Sequence, residues 1–133
     1  MDYIQSLYNK IWASLIRPPK RNYQEHDLGH NHFSINNNHY YRLDCQLRNA
    51  FKEWFIISIF HPCDEESNLK QPQMFLVYCH SHSGSRKEGV HLLENIHNDT
   101  TALITFDFWA SGYSSGKYLT LGWFEAIDIN AIC

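Results

Sequence analysis

One stretch of the 133-residue chain, from Met74 to Gly116, restricts the fold more than any other. Met74-Phe75-Leu76-Val77-Tyr78-Cys79 has no polar alternation, which predicts a strand covered on both faces. His80-Ser81-His82-Ser83-Gly84 then turns the chain. Ser85, with Glu88 three residues on, has the form of a capping box, which satisfies open N–H groups at a helix start. Val90, Leu93 and Ile96 recur at helical spacing, and Asn98-Asp99 ends the pattern. Thr101 to Phe108 is rich in β-branched and aromatic residues and reads as a second strand. A strand–helix–strand unit of this length predicts parallel strands joined by a right-handed crossover. Ligand sites on parallel strands lie at their carboxyl ends, where both small-residue loops of this stretch fall.

The flanking chain adds to this unit. Ile4, Leu7, Tyr8, Ile11, Trp12 and Leu15 mark Met1 to Ile16 as an amphipathic helix, ended by Pro18-Pro19. Its polar face lacks the Lys/Arg density usual in membrane-surface anchors, so the expectation is a helix packed on the outside of the domain. Asn22 to His39 is polar and reads as an extended loop with a turn at Asn36-Asn37-Asn38. Tyr40 to Leu47 and Trp54 to His61 read as an antiparallel hairpin. Pro62 to Pro72 is an acidic, polar surface loop, and Leu119 to Cys133 returns to helical periodicity. The expected organisation is a single domain over 1–133, with a helix and boundary over 1–21 and the sheet with its crossover helix over 39–133.

Bulk properties exclude several function classes. With 44% hydrophobic and 19% charged residues the chain is an ordinary globular sequence. A net charge of −3 without a Lys/Arg stripe argues against a nucleic-acid surface. Cys45, Cys63, Cys79 and Cys133 show no C-x-x-C spacing, which fits buried free thiols in a reducing compartment. No signal peptide or membrane span is visible, so a cytoplasmic location is expected.

Two motifs invite chemistry. The nine histidines include the pairs His30/His32 and His80/His82, but neither pair has a Cys nearby at zinc-ligand spacing, and no metal site or cofactor is expected. Gly112-Tyr113-Ser114-Ser115-Gly116 matches G-x-S-x-G, the nucleophile elbow of serine hydrolases. An elbow needs a helix directly after it and a histidine downstream to activate the hydroxyl. Lys117 to Thr120 intervenes here, and no histidine follows Ser114. Ser114 therefore reads as a loop residue, and no catalytic residue is assigned. The loop His80-Ser81-His82-Ser83-Gly84 is the better candidate, since small residues after a parallel strand let backbone N–H groups face a ligand.

Taken together, these pieces resemble the N-terminal part of α/β-hydrolase-fold serine hydrolases, in the subgroup labelled prolyl-oligopeptidase-like or serine aminopeptidase-like. Members of that subgroup carry a strand ending Y-x-H-G-N-S-G-S-R, then F-D-F-x-G-x-G-x-S-x-G and L-G-W-x-E-x-x-D. This chain has Tyr78-Cys79-His80-Ser81-His82-Ser83-Gly84-Ser85-Arg86, then Phe106-Asp107-Phe108-Trp109-Ala110-Ser111-Gly112 through Gly116, then Leu121-Gly122-Trp123-Phe124-Glu125 and Asp128. Arg17-Pro18-Pro19 through Tyr23 and Asp27-Leu28-Gly29 are similar to the subgroup's approach to its first strand.

The resemblance implies a partial sheet of four strands in the order 1-2-4-3, flanked by an N-terminal, a crossover and a C-terminal helix. It implies that the backbone N–H of His82 is one oxyanion donor, within a site loop of His80, Ser81, Ser83 and Gly84. It also implies a chain cut before the nucleophile, acid and catalytic histidine, so that ester or amide hydrolysis, on a small-molecule or peptide substrate, belongs to the complete family. Ser81 and Ala110 stand where the pattern has Gly, each at an expected cost of about 1 kcal/mol. Strand Met74 to Cys79 becomes an exposed apolar edge prone to self-association. The alternatives are a small non-catalytic interaction module docking through that strand and a His-rich metal-binding domain.

Overall fold

The computed structural model describes residues 2–17, 20 and 23–133. The expected Pro18-Pro19 break lies outside them. The chain forms α1 (Asp2–Ile16), a short 3₁₀ turn (Glu25–Leu28), β1 (His32–Ile35), β2 (Asn38–Arg48), β3 (Trp54–Cys63) and β4 (Met74–Tyr78). A crossover 3₁₀ helix (Arg86–Asn95), β5 (Thr101–Phe106) and α2 (Trp123–Ile132) follow. The sheet is mixed and has five strands in the order β1-β2-β3-β5-β4. The expectation of four strands in the order 1-2-4-3 is therefore corrected.

The additional strand is β1, inside the segment read as a loop. Asn36 and Asn37 have φ of 51° and 65°, so the two-residue turn between β1 and β2 has both central residues left-handed. That geometry matches the twist of a hairpin, and Asn tolerates it better than other non-glycine residues. Asn36 Nδ2 donates to Glu94 O at 2.8 Å and Asn38 Nδ2 to Ile96 O at 3.0 Å, which fastens the hairpin to the crossover helix. β2 and β3 pair antiparallel from His39↔Cys63 to Arg48↔Trp54. Pro62 sits inside β3 without harm, because β5 pairs β3 only over Ile57–Phe60 and no partner there needs its missing N–H. β4 and β5 pair in parallel, from Met74↔Thr101 to Tyr78↔Thr105.

β5 is buried along its whole length, and its alternate side chains feed two cores. On one face Leu103 packs with Tyr40, Phe60, Leu93 and Ile96 beneath the crossover helix. On the other, Phe106 packs with Phe55, Ile57 and Phe108, and Ile129 and Ile132 of α2 lie against them. Gly89 allows the crossover helix to approach closely, since a Cβ there would strike Thr105 and the Tyr78 ring.

Four local expectations change. β4 is not covered on both faces: Met74, Phe75 and Leu76 are 59%, 56% and 39% exposed, and Cys79 is exposed as well. Only Cys63 of the four free thiols is buried. α1 has no buried residue, so it does not pack on the domain as expected. The Ser85 side chain makes no capping bond; Glu88 reaches the Tyr78 hydroxyl instead (3.3 Å).

A buried polar network holds these layers together. Arg86, 1% exposed, donates from Nε to the Tyr23 hydroxyl (2.6 Å) and from one terminal nitrogen to Ser58 Oγ (2.9 Å) and Asp44 Oδ1 (3.3 Å). Tyr23 donates in turn to Asp107 Oδ2 (2.6 Å), and the Arg86 backbone N–H donates to Asp107 Oδ1 (2.8 Å). Burial, followed by the Asp107 charge, pushes the Tyr23 phenol well above its ordinary pKa, so it remains a donor. Removing the cation leaves the buried Asp107 without its counter-charge, while Asp44 keeps Arg42 at 3.1 Å. Arg86→Met is therefore expected to cost about 3–5 kcal/mol in urea denaturation. Lys87→Met, at an exposed ion pair on the same helix, is expected to cost less than about 1 kcal/mol. Equal effects would contradict this account.

Candidate functional site

The loop after β4, the loop after β5 and the start of α2 meet at the carboxyl ends of the parallel pair. They enclose a cavity of about 190 Å³ lined by His80, Ser81, His82, Phe108, Leu119, Leu121, Gly122 and Glu125. For scale, a dry apolar cavity of about 150 Å³ holds benzene.

His80 is the rigid member of this wall. Its Nδ1 lies 2.7 Å from Ser81 O, and its Nε2 accepts the Phe108 backbone N–H at 3.0 Å. Both nitrogens are thus committed in the neutral tautomer with the proton on Nδ1, and the ring stands edge-on to Phe108 at 4.9 Å. His80 ties the two loops together and is not placed to carry protons. Ser81, His82 and Ser83 are exposed, and the Gly84 N–H closes a turn onto Ser81 O at 3.0 Å. Gly84 lets the Glu88 carboxylate lie against the backbone there; a Cβ would displace it. Of the five expected loop residues, His80, Ser81 and His82 reach the cavity; Ser83 and Gly84 shape the turn behind it.

The second loop is stitched tightly. Asp107, fully buried, also accepts the Tyr113 N–H (3.0 Å), and Gly112 has φ 47° with no room for a Cβ beside that carboxylate. Ser114, 2% exposed, donates to Asp107 O (2.5 Å) and accepts from Ile56 N–H (3.0 Å). Its hydroxyl is consumed in joining the loop to β3, and Ser114 is a loop residue as expected.

The cavity floor comes from residues that sequence patterns did not single out for the site: Phe108, Leu119, Leu121 and Gly122. α2 begins at Trp123 rather than near Leu119 because Thr120 and Glu125 cap it there. Thr120 Oγ accepts the Phe124 N–H (2.7 Å), and Glu125 accepts from Gly122 N–H (2.8 Å) and the Thr120 hydroxyl (2.6 Å). Burial opposes ionisation of Glu125, but these bonds outweigh it and hold its pKa below the usual range. Gly122 three residues before Glu125, with Thr120 just upstream, was the available signal. Asp128, fully buried, accepts from Asn49 Nδ2 (2.9 Å) and Trp109 N–H (2.7 Å); burial raises its pKa. Both acids are committed to structure.

Among the described residues, no three His, Cys, Asp or Glu side chains converge to hold a metal ion. His32 stacks on His39 with ring centroids 5.9 Å apart. No described helix is long and apolar enough to cross a membrane.

This architecture defines a class. No protein-family model and no curated protein matches the chain. Among solved structures it is similar to the Pyrococcus furiosus esterase Pf2001 in two crystal forms. In space group P212121 the TM-score is 0.54 at 21% identity, over 89% of this chain and 39% of the esterase. In P21 the TM-score is 0.55 at 22% identity, over 86% and 40%. The chain therefore has a generic α/β-hydrolase-type fold and spans about two fifths of the length of the esterase it matches.

The two glycine replacements separate. Ala110 is fully buried with φ 62°, a left-handed position where a Cβ is strained, whereas Ser81 is not among the left-handed residues. Ala110→Gly is expected to stabilise the fold by up to about 1 kcal/mol, and Ser81→Gly to destabilise it by about 0.5 kcal/mol through unfolded-state entropy. Urea midpoints moving in the same direction for both would refute this distinction.

Proposed function

We propose that the chain forms the non-catalytic N-terminal wall of a serine-hydrolase site in the prolyl-oligopeptidase-like or serine aminopeptidase-like subgroup. The loop His80 to Gly84 presents the His82 backbone N–H as one of two oxyanion donors. The nucleophile, the acid, the catalytic histidine and the second donor come from sequence beyond this chain. The supporting observation is the cavity between the β4 and β5 loops, on a sheet similar to about two fifths of an esterase. In this reading the chain by itself hydrolyses nothing, since Ser114 is buried and its hydroxyl already donates to Asp107 O. A reducing, cytoplasmic compartment suits its four unpaired thiols. A fluorophosphonate probe is expected to leave the 133-residue chain unlabelled. The reading frame continued past Cys133 is expected to encode a strand, a G-x-S-x-G elbow, a helix and a histidine. Labelling at any serine of this chain, or a continued frame lacking those elements, overturns the proposal.

A second reading rests on the exposed edge. Met74, Phe75 and Leu76 lie on the apolar edge strand of the sheet, paired with β5 on one side and, among the described residues, open on the other to a strand from a second copy or a partner. Sedimentation velocity is expected to show concentration-dependent association, and Phe75→Lys to shift the chain toward monomer. A monodisperse wild-type monomer would remove this reading.

A further inference from the structure

α1 is an amphipathic helix in which no residue is buried against the rest of the described chain. Ile4, Leu7, Tyr8, Ile11, Trp12 and Leu15 share one helical face and are between 45% and 74% exposed. Gln5, Asn9 and Lys10 lie on the opposite face, and the helix is tied to the body at its C-terminal end. There Leu119 N–H donates to Ile16 O (2.7 Å) and Arg17 to the Tyr118 hydroxyl (2.8 Å).

The charge around this helix is distinct from that of the rest of the chain. Residues 1–21 hold four Lys/Arg and one Asp, while the remaining 112 residues hold seven Lys/Arg and thirteen Asp/Glu. Three of the cations, Arg17, Lys20 and Lys117, line one surface hollow at the end of α1, with no acidic side chain in its lining. A second copy of the helix is a poor occupant for the apolar face. The helix is about 22 Å long, and the six apolar side chains of this face fall well short of the roughly 20–30 residues a side of a stable interface.

We propose that α1 lies in the surface of an anionic lipid bilayer. Its apolar face enters the headgroup–acyl boundary, and the cations at its C-terminal end face lipid phosphates. The body carries an excess of acidic residues and the cations gather at this end, so the charge asymmetry favours approach by this end. Apolar insertion and electrostatic attraction add in such binding; here the cations stand at the end of the helix instead of along its polar face, and an anionic leaflet supplies the negative surface.

The test is flotation of the full chain with phosphatidylcholine vesicles, with and without phosphatidylserine; aggregates do not float. The chain is expected to float with the phosphatidylserine vesicles and to be released by salt. Ile11→Asp, at a position with no buried contact, is expected to abolish flotation without changing the thermal melt. Arg17→Glu combined with Lys117→Glu is expected to weaken partitioning by at least about thirtyfold, at about fivefold per removed cation and more for reversed charge. Three results overturn the proposal: no flotation above that on phosphatidylcholine alone, flotation unchanged by Ile11→Asp, or a lipid-free dimer that Ile11→Asp dissolves.

Discussion

The buried guanidinium of Arg86 is the interaction on which the arrangement of the site rests. A cation this far from water is tolerated only when its donors are met, and here they are met by groups from distant parts of the chain. Asp44 comes from β2, Ser58 from β3, Asp107 from the end of β5 and Tyr23 from before the sheet. Arg86 is also the first residue of the crossover helix, and its backbone N–H is bound by the same Asp107. One residue thereby sets where the loop after β4 ends and where the loop after β5 begins. His80 completes the connection from the other side through the Phe108 N–H. The cavity between those loops follows from these two ties.

Around that centre the fold is unevenly covered. The face beneath the crossover helix is closed by the β1–β2 hairpin and its asparagine bonds. The opposite face has only α2 over Phe55 and Phe106, and β4 at the edge retains exposed Met74, Phe75 and Leu76. Three residues with acid–base potential at or behind the cavity are spent on structure: His80 on two backbone groups, Glu125 on the α2 cap, Asp128 on Asn49 and Trp109, while the exposed His82 lines the wall beside them.

Much of this was legible in the sequence where the signal was long or doubly constrained. The apolar runs at Trp54 and Thr101 read as strands, and Lys117 to Thr120 between Ser114 and the next helical periodicity marked Ser114 as a loop residue. β1 escaped because four residues, two of them His and Ser, carry little hydrophobic pattern. The Asn-Asn turn beside it was a hairpin signal read only as a bend. The Ser85/Glu88 spacing was a valid local motif that lost to the tertiary pull of Tyr78 on Glu88.

The sequence by itself determined the alternation of strands and helices, the parallel β4–β5 pair and the location of the small-residue loops. These depend on periodicity and turn chemistry between near neighbours. Only the tertiary structure decided that Arg86 is buried and shared among four partners, that β4 and α1 remain exposed, and that His80, Ser81 and His82 face Leu119 and Glu125 across a cavity. Those outcomes depend on which distant groups satisfy a buried charge or cover an apolar face. The stretch from Met74 to Gly116 supplies the loops of the site, and residues outside it supply the rest of the enclosure.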